Sequence, residues 1–174
     1  MTDTLIRQSG HSLLGIYLND HFAGATAGTQ LARRVAGSHQ DSPYGHTLRR
    51  LATEIAEDRA ALLDIMAALS IPVRGYKVYA ALIGEKAARL KPNGYVSGRS
   101  PLSSLVELEM LRLGVEGKGA GWRTLRSLAG RDSRLDSARL DELIARARGQ
   151  AEALEELRVR AADQIVSLAD HDTK

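Results

Sequence analysis

Cysteine is absent from the 174 residues, and aromatics make up only 4% of them, with a single Trp and a single Phe. Without thiols there is no disulfide framework, no thiolate zinc site and no cysteine nucleophile. So few aromatics, beside an apolar set made mostly of Leu and Ala, favour helices over sheets. No apolar run approaches the roughly 18 residues a transmembrane helix needs. The opening MTDTLIRQSGHSLLG has no basic stretch followed by a long apolar segment, so no signal peptide is read and a cytoplasmic location is expected. Charge of one sign is also scarce: 24 basic residues stand against 21 acidic ones, interspersed, for a net charge of +3. That pattern describes a solvated surface more than a nucleic-acid footprint.

What is present is helical periodicity. The clearest case is residues 47–70, TLRRLATEIAEDRAALLDIMAALS, where Leu48, Leu51, Ile55, Leu62, Ile65, Met66 and Leu69 recur every three or four residues. Asp58 falls on that apolar stripe. A carboxylate there faces a partner or a metal, or lies at the stripe's edge in water. Before this helix, a flexible lead over 1–10 precedes a first helix expected from about 10–12 to 36, with a stripe of Leu13, Ile16/Tyr17, Asp20, Gly24, Ala27 and Leu31. Gly24 and Gly28 lie one turn apart. Either the helix bends there or it packs closely against a neighbour or a dimer mate.

Residues 37–45 are a short loop by composition. Residues 71–100 are different. They are rich in Pro and Gly and net basic (Arg74, Lys77, Lys86, Arg89, Lys91), and a short helix is predicted within them over 76–90. A connection this long is not a hairpin turn, but it can travel the length of a bundle. A third helix is predicted from Pro101, capped by Ser100, to about Gly130. One of its faces carries Leu102, Val106, Glu109, Leu113, Glu116 and Ala120; Leu108, Leu111, Val115, Trp122 and Leu125 widen it. Gly114, Gly117, Gly119 and Gly121 predict a bend or local unwinding. A fourth helix is predicted over 137–169, and a tail at 171–174 is expected to fray. The single domain over 11–170 is thus expected to be all-α: an antiparallel four-helix bundle of ferritin-like type, with one long crossover containing a short helix between helices 2 and 3.

The stretches GIYLNDHFAGATAG, LATEIAEDRAALLDIM, RLKPNG and SPLSSLVELEMLRLGVEGKGAGW resemble an uncharacterised bacterial group related to ferritin-like proteins. The resemblance covers most of the chain and implies the bundle without an assigned activity. It also implies a place for a carboxylate-bridged metal pair, with Glu-x-x-His on two helices. This sequence departs from that pattern, for it contains no Glu-x-x-His.

The candidate metal ligands are Asp20, Glu54, Asp58, Glu109 and Glu116, an all-oxygen set that would suit iron or manganese. The rival readings are pairing with core-edge arginines such as Arg34, Arg59, Arg112 or Arg123, and exposure at the stripe edge. His21, adjacent to Asp20, points to a different face and reads as a surface or interface residue. Trp122 reads as a packing anchor, with the wall of a ligand pocket as the sharper alternative. GVEGKGAG, around Lys118, lacks the spacing and the Ser/Thr of a phosphate loop. No nucleophile–base pair is identifiable, so no catalytic residue is named. Three functions follow. The favoured one is a non-enzymatic bundle that self-associates, as a dimer through Gly24 and Gly28, or binds a protein partner, with no cofactor. The others are a carboxylate-rich iron or manganese oxidoreductase, and a weak nucleic-acid binder through the basic crossover.

Overall fold

The computed structural model describes residues 2–74 and 101–171, with side chains for 13–74 and 102–167. Four helices form a bundle: α1 (Thr2–Ser38), α2 (Gly45–Ala68), α3 (Pro101–Leu128) and α4 (Ser137–His171). The expected short helix over 76–90 lies outside the described residues. α1 begins at Thr2, ahead of the expected start at 10–12. α3 is helical throughout, so its glycines do not unwind it.

The neighbours are α1 with α2, α3 with α4, α1 with α3 and, least extensively, α2 with α4. Cross-links fix their directions. Tyr17 pairs with Thr124 and Arg34 with Glu107, so α1 and α3 are antiparallel. Arg126–Asp141 and Arg112–Glu155 make α3 and α4 antiparallel. The short 39–44 link turns α2 back along α1, where Arg59 reaches Thr26, and Glu57–Arg146 with Glu54–Gln150 makes α2 and α4 antiparallel. It follows that α2 and α3 are parallel and occupy one diagonal of the bundle. α2 therefore ends at one end of the bundle and α3 begins at the other.

Each visible turn has a local cause. The turn before α2 winds through Ser42 N–H to His39 O (3.0 Å) and Gly45 N–H to Ser42 O (3.0 Å). A Cβ at Gly45 would lie 2.6 Å from the carbonyl oxygens of both His39 and Gln40, so only glycine fits. α2 ends in a Schellman motif. Ile71 N–H donates to Met66 O (2.8 Å) and Ser70 N–H to Ala67 O (2.9 Å), with Ser70 left-handed at φ 57°. Leu69 and Ile71, on either side of it, are buried. α4 starts on Asp136, whose Oδ1 accepts from the N–H groups of Ala138 (2.9 Å) and Arg139 (3.2 Å) as an N-cap.

The core differs from the predicted stripes on α1 and α3. On α1 the buried face is Leu18, Phe22, Thr26, Thr29, Ala32 and Val35, whereas Leu13 and Ile16 are 67% and 54% exposed. Asp20 and Gly24 are exposed as well. The two buried threonines return their hydroxyl protons to the carbonyls one turn back, Thr26 to Phe22 O and Thr29 to Ala25 O. This self-satisfaction lets a polar residue occupy a core position that hydropathy assigns to the outside. On α3 the buried line is Leu108, Leu111, Val115, Trp122 and Leu125, and Leu113 of the predicted stripe is 69% exposed. The α2 stripe is largely as expected: Leu48, Leu51, Ile55, Leu62, Met66 and Leu69 are all buried, and Ile65 is half-buried. Full burial of each such side chain stabilises by about 1.5–3 kcal/mol.

Candidate ligand-binding site

Asp58 is the one carboxylate among the buried side chains of the described core, and it does not stand alone. The same core line on α3 passes through Lys118, between Val115 and Trp122, and the buried line of α4 passes through Gln150, between Ala147 and Leu154. Three helices therefore each place one polar residue at the same level. Asp58 Oδ2 accepts from Lys118 Nζ and, at 3.2 Å, from Gln150 Nε2. Asp58 Oδ1 accepts from Arg146 on α4. Lys118 also donates to Gln150 Oε1.

The network continues outward. Gln150 Nε2 donates to Glu54 (3.1 Å), Arg50 to Glu54 (2.8 Å) and Arg146 to Glu57 (3.1 Å). Three carboxylates, Glu54, Glu57 and Asp58, thus meet three cations, Arg50, Lys118 and Arg146. The balance matters because an uncompensated charge at this depth would cost several kcal/mol. Burial pushes the Lys118 ammonium below the usual lysine range, and the Asp58 carboxylate opposes that shift.

The sequence-predicted ligand set does not gather. Asp58 and Glu54 belong to the network just described. Glu109 faces Arg158 at 3.9 Å and Glu116 faces Arg112 at 3.9 Å, both partly exposed. Asp20 is exposed on α1. Among the described residues no group of three or more His, Asp or Glu is placed to hold a metal ion. Of the arginines named from sequence, Arg112 does meet the candidate Glu116, whereas Arg34 meets Glu107 (3.2 Å), and Arg59 donates to Thr26 (2.9 Å) while its guanidinium lies over Phe22. Lys118, Arg146 and Gln150 were not anticipated. The available signal was a break in the core period: Lys118 and Gln150 occupy positions where Leu, Val or Ala recur on either side.

Directly beside the network lies a half-open cavity of about 420 Å³ between α1 and α3. Asp58, Ile55 and Leu62 of α2 contribute to its wall, with Lys118 and Trp122 of α3 and Leu18 of α1. Its space comes from glycine. Gly24 and Gly28 of α1 lie opposite Gly114 and Gly117 of α3 on its open side: Gly24, Gly114 and Gly117 are solvent-exposed, Gly28 is half-buried, and a Cβ added at any of the four would meet nothing within 4 Å. These glycines therefore do not bring helices into close contact within the chain, as the spacing of Gly24 and Gly28 suggested. Relative to alanine, four helical glycines forgo roughly 3–4 kcal/mol of helix stability, with no packing gained in return. What they provide is room.

The mouth carries His21, Tyr17 and Asp20. The His21 ring meets Tyr17 edge-on at 4.5 Å between centroids and rests on Gly121, where a Cβ would come within 3.0 Å of it. Burial lowers the His21 pKa below its ordinary value, and Asp20 works against that shift. At neutral pH the imidazole is thus neutral. Tyr17 donates to Thr124 at 3.2 Å. A larger cleft of about 710 Å³ between α3 and α4 is bordered by charged residues that neutralise one another, such as Arg112 and Glu155 at 3.1 Å.

No helix among the described residues is long and apolar enough to cross a membrane. Comparison with protein-family models, with curated proteins and with solved structures gives no match to this chain.

Proposed function

We propose that this chain is a non-enzymatic helical binding protein, on a ferritin-like scaffold, whose α1–α3 cavity takes a small apolar molecule. The observation that carries the reading is the set of four glycines lying opposite each other on the open side of a 420 Å³ cavity beside the neutral Asp58–Lys118 network. A mostly apolar pocket with a few placed polar groups is the usual form of a small-molecule site, and this volume lies within the usual range. The scaffold assignment rests on the topology: parallel α2 and α3 on a diagonal joined by one long crossover, as in ferritin-like bundles. The pairing of Asp58 with Lys118 and Arg146 supports a reading without metal.

Self-association through the same face is the second reading. Leu13 and Ile16 on α1 and Leu113 on α3 are exposed apolar side chains on the two helices that form the cavity. The test combines two measurements. N-phenylnaphthylamine, a neutral fluorescent probe, is expected to bind saturably at one site per chain, and Gly24→Leu or Gly117→Leu is expected to abolish that binding with the fold intact by circular dichroism. Equal binding by wild type and both filled variants overturns the cavity reading. Light scattering over a dilution series then reports whether the glycine face holds a dimer, in which case the leucine variants become monomeric.

A further inference from the structure

α1 carries two apolar faces, and the bundle uses one of them. Leu18, Phe22 and Val35 are buried in the core, while Leu13 and Ile16 are exposed. The outer face continues through Gly24, which is exposed, and through Ala27 and Leu31, which are half-buried. Leu13, Asp20, Gly24, Ala27, Leu31 and Arg34 follow one another at steps of three, four or seven residues, the spacing of a helix seam. This seam borders the open side of the cavity through Asp20 and Gly24. Two charges of opposite sign punctuate it. Asp20 is exposed and makes no ion pair among the described residues. Arg34 uses Nη2 on Glu107, yet its side chain stays 51% exposed. Ala27 lies midway, seven residues from each. Seven residues fall only about 20° short of two full turns, so all three share a face. His21, the other titratable group at the mouth, is turned onto Gly121 and Tyr17 within the chain.

Resting on the self-association reading above, we propose that the partner on this face is a second copy of the chain, docked α1 against α1 in opposite directions about a two-fold axis through Ala27. A two-fold contact is self-complementary: if one residue touches a second, the second touches the first in return. With the axis at Ala27, Asp20 of each copy meets Arg34 of the other, which makes two ion pairs. Leu31 of each copy comes opposite Gly24 of the other, where a missing Cβ leaves open space. Helices whose contact residues are small approach to about 8 Å between axes. A parallel pairing sets Asp20 on Asp20 and Arg34 on Arg34, and like charges disfavour it. A polyanion suits Arg34 but not Asp20, and an apolar surface would strip water from both charges. The second α1 lies across the open side of the cavity, so a small molecule held there is enclosed by both copies.

Charge reversal tests the geometry. In Asp20→Arg, and likewise in Arg34→Asp, both ion pairs become repulsions, and the dimer is expected to weaken about 10–30-fold in light scattering over a dilution series. The double variant, Asp20→Arg with Arg34→Asp, restores opposite charges across the axis and should recover wild-type association. That recovery separates the contact between copies from the Arg34–Glu107 pair within the chain, which the double variant does not restore. The absence of cysteine allows a second measurement. Ala27→Cys puts one thiol of each copy at the axis, and mild oxidation should link two chains through it. Thr53→Cys, at an exposed position on α2, should not cross-link at the same rate. A dimer indifferent to the single reversals, a double variant that stays weak, or equal cross-linking by the two cysteine variants overturns the two-fold α1 contact and leaves self-association in place. A wild-type chain that is monomeric throughout the series overturns both, while the cavity reading is decided separately by its own fluorescent probe.

Discussion

Asp58→Asn preserves the volume of the side chain and removes its charge. In the native protein the Asp58 side chain is fully buried, and both oxygens are used by Lys118, Arg146 and Gln150. Asparagine keeps one acceptor and turns an NH2 donor toward a cation. The two cations then face each other across a site only 13% exposed at Lys118 and 26% at Arg146. At an effective dielectric of 20, two unit charges 4 Å apart interact by about 4 kcal/mol. Removing one partner of a buried pair loses about 3–5 kcal/mol, because the other charge stays buried. We therefore expect a loss of about 3–5 kcal/mol in urea unfolding followed by circular dichroism, seen as a lower midpoint at unchanged slope.

The loss also carries a pH signature. Lys118 is already held below its ordinary value, and the contribution of Asp58 that opposes this disappears in the variant. Its folded pKa then lies further below the unfolded value of about 10.4. Between those two values the unfolded state binds more protons, so the variant's stability rises with pH. The deficit relative to wild type should be largest near neutral pH and shrink toward pH ~10. Asp58→Asn combined with Lys118→Met should recover part of the loss at neutral pH. A deficit below about 1 kcal/mol, or one independent of pH, would refute the account of the network.

Three further outcomes follow from local geometry. Ser70→Gly relieves a left-handed residue at the end of α2 and should raise stability by about 0.5–1 kcal/mol in the same unfolding assay; a loss would contradict the Schellman assignment. Gly45→Ala forces a Cβ to within 2.6 Å of two backbone oxygens and should destabilise by about 1–3 kcal/mol. A neutral result there would mean that the turn is not as described. His21 should titrate below 6.5 by NMR, because burial dominates. Its folded pKa is depressed relative to the unfolded value, so its contribution to stability is complete above about 6.5 and is lost as pH falls below it; His21→Gln should remove that component. A His21 pKa above 6.5 would refute the buried placement.

The second helix was the most legible part of the chain, because its core residues are all apolar except one. Asp58 stood out there by breaking a clean stripe. α1 misled because its core face carries Thr26 and Thr29, while Leu13 and Ile16 face outward. A periodicity built on hydropathy follows the leucines and misses threonines that satisfy themselves. On α3 two apolar stripes run side by side, and hydropathy does not rank the one through Leu113 and Glu116 below the buried one. Lys118 is recognisable as a core position only once Leu111, Val115, Trp122 and Leu125 are taken as the buried line. The partners of Asp58 come from residues 60, 88 and 92 positions away, beyond the reach of any local pattern. The glycines were visible, but whether they serve close contact or open space depends on the facing helix.

The diagonal link between Asp58 and Lys118 bears on the order of assembly. Each hairpin, α1–α2 and α3–α4, can form from contacts within itself. The link closes only after the two hairpins have docked, since it joins helices that are not neighbours. Apolar surfaces tolerate sliding, and a displacement by one helical turn, about 5.4 Å, would still bury leucine against leucine. The same displacement would bury Asp58 away from both cations and leave Lys118 facing hydrocarbon. The polar centre thus adds little to the attraction between the hairpins, yet it separates the native register from its one-turn alternatives by several kcal/mol. A uniformly apolar interior would bind the two halves as strongly and choose among those registers less sharply.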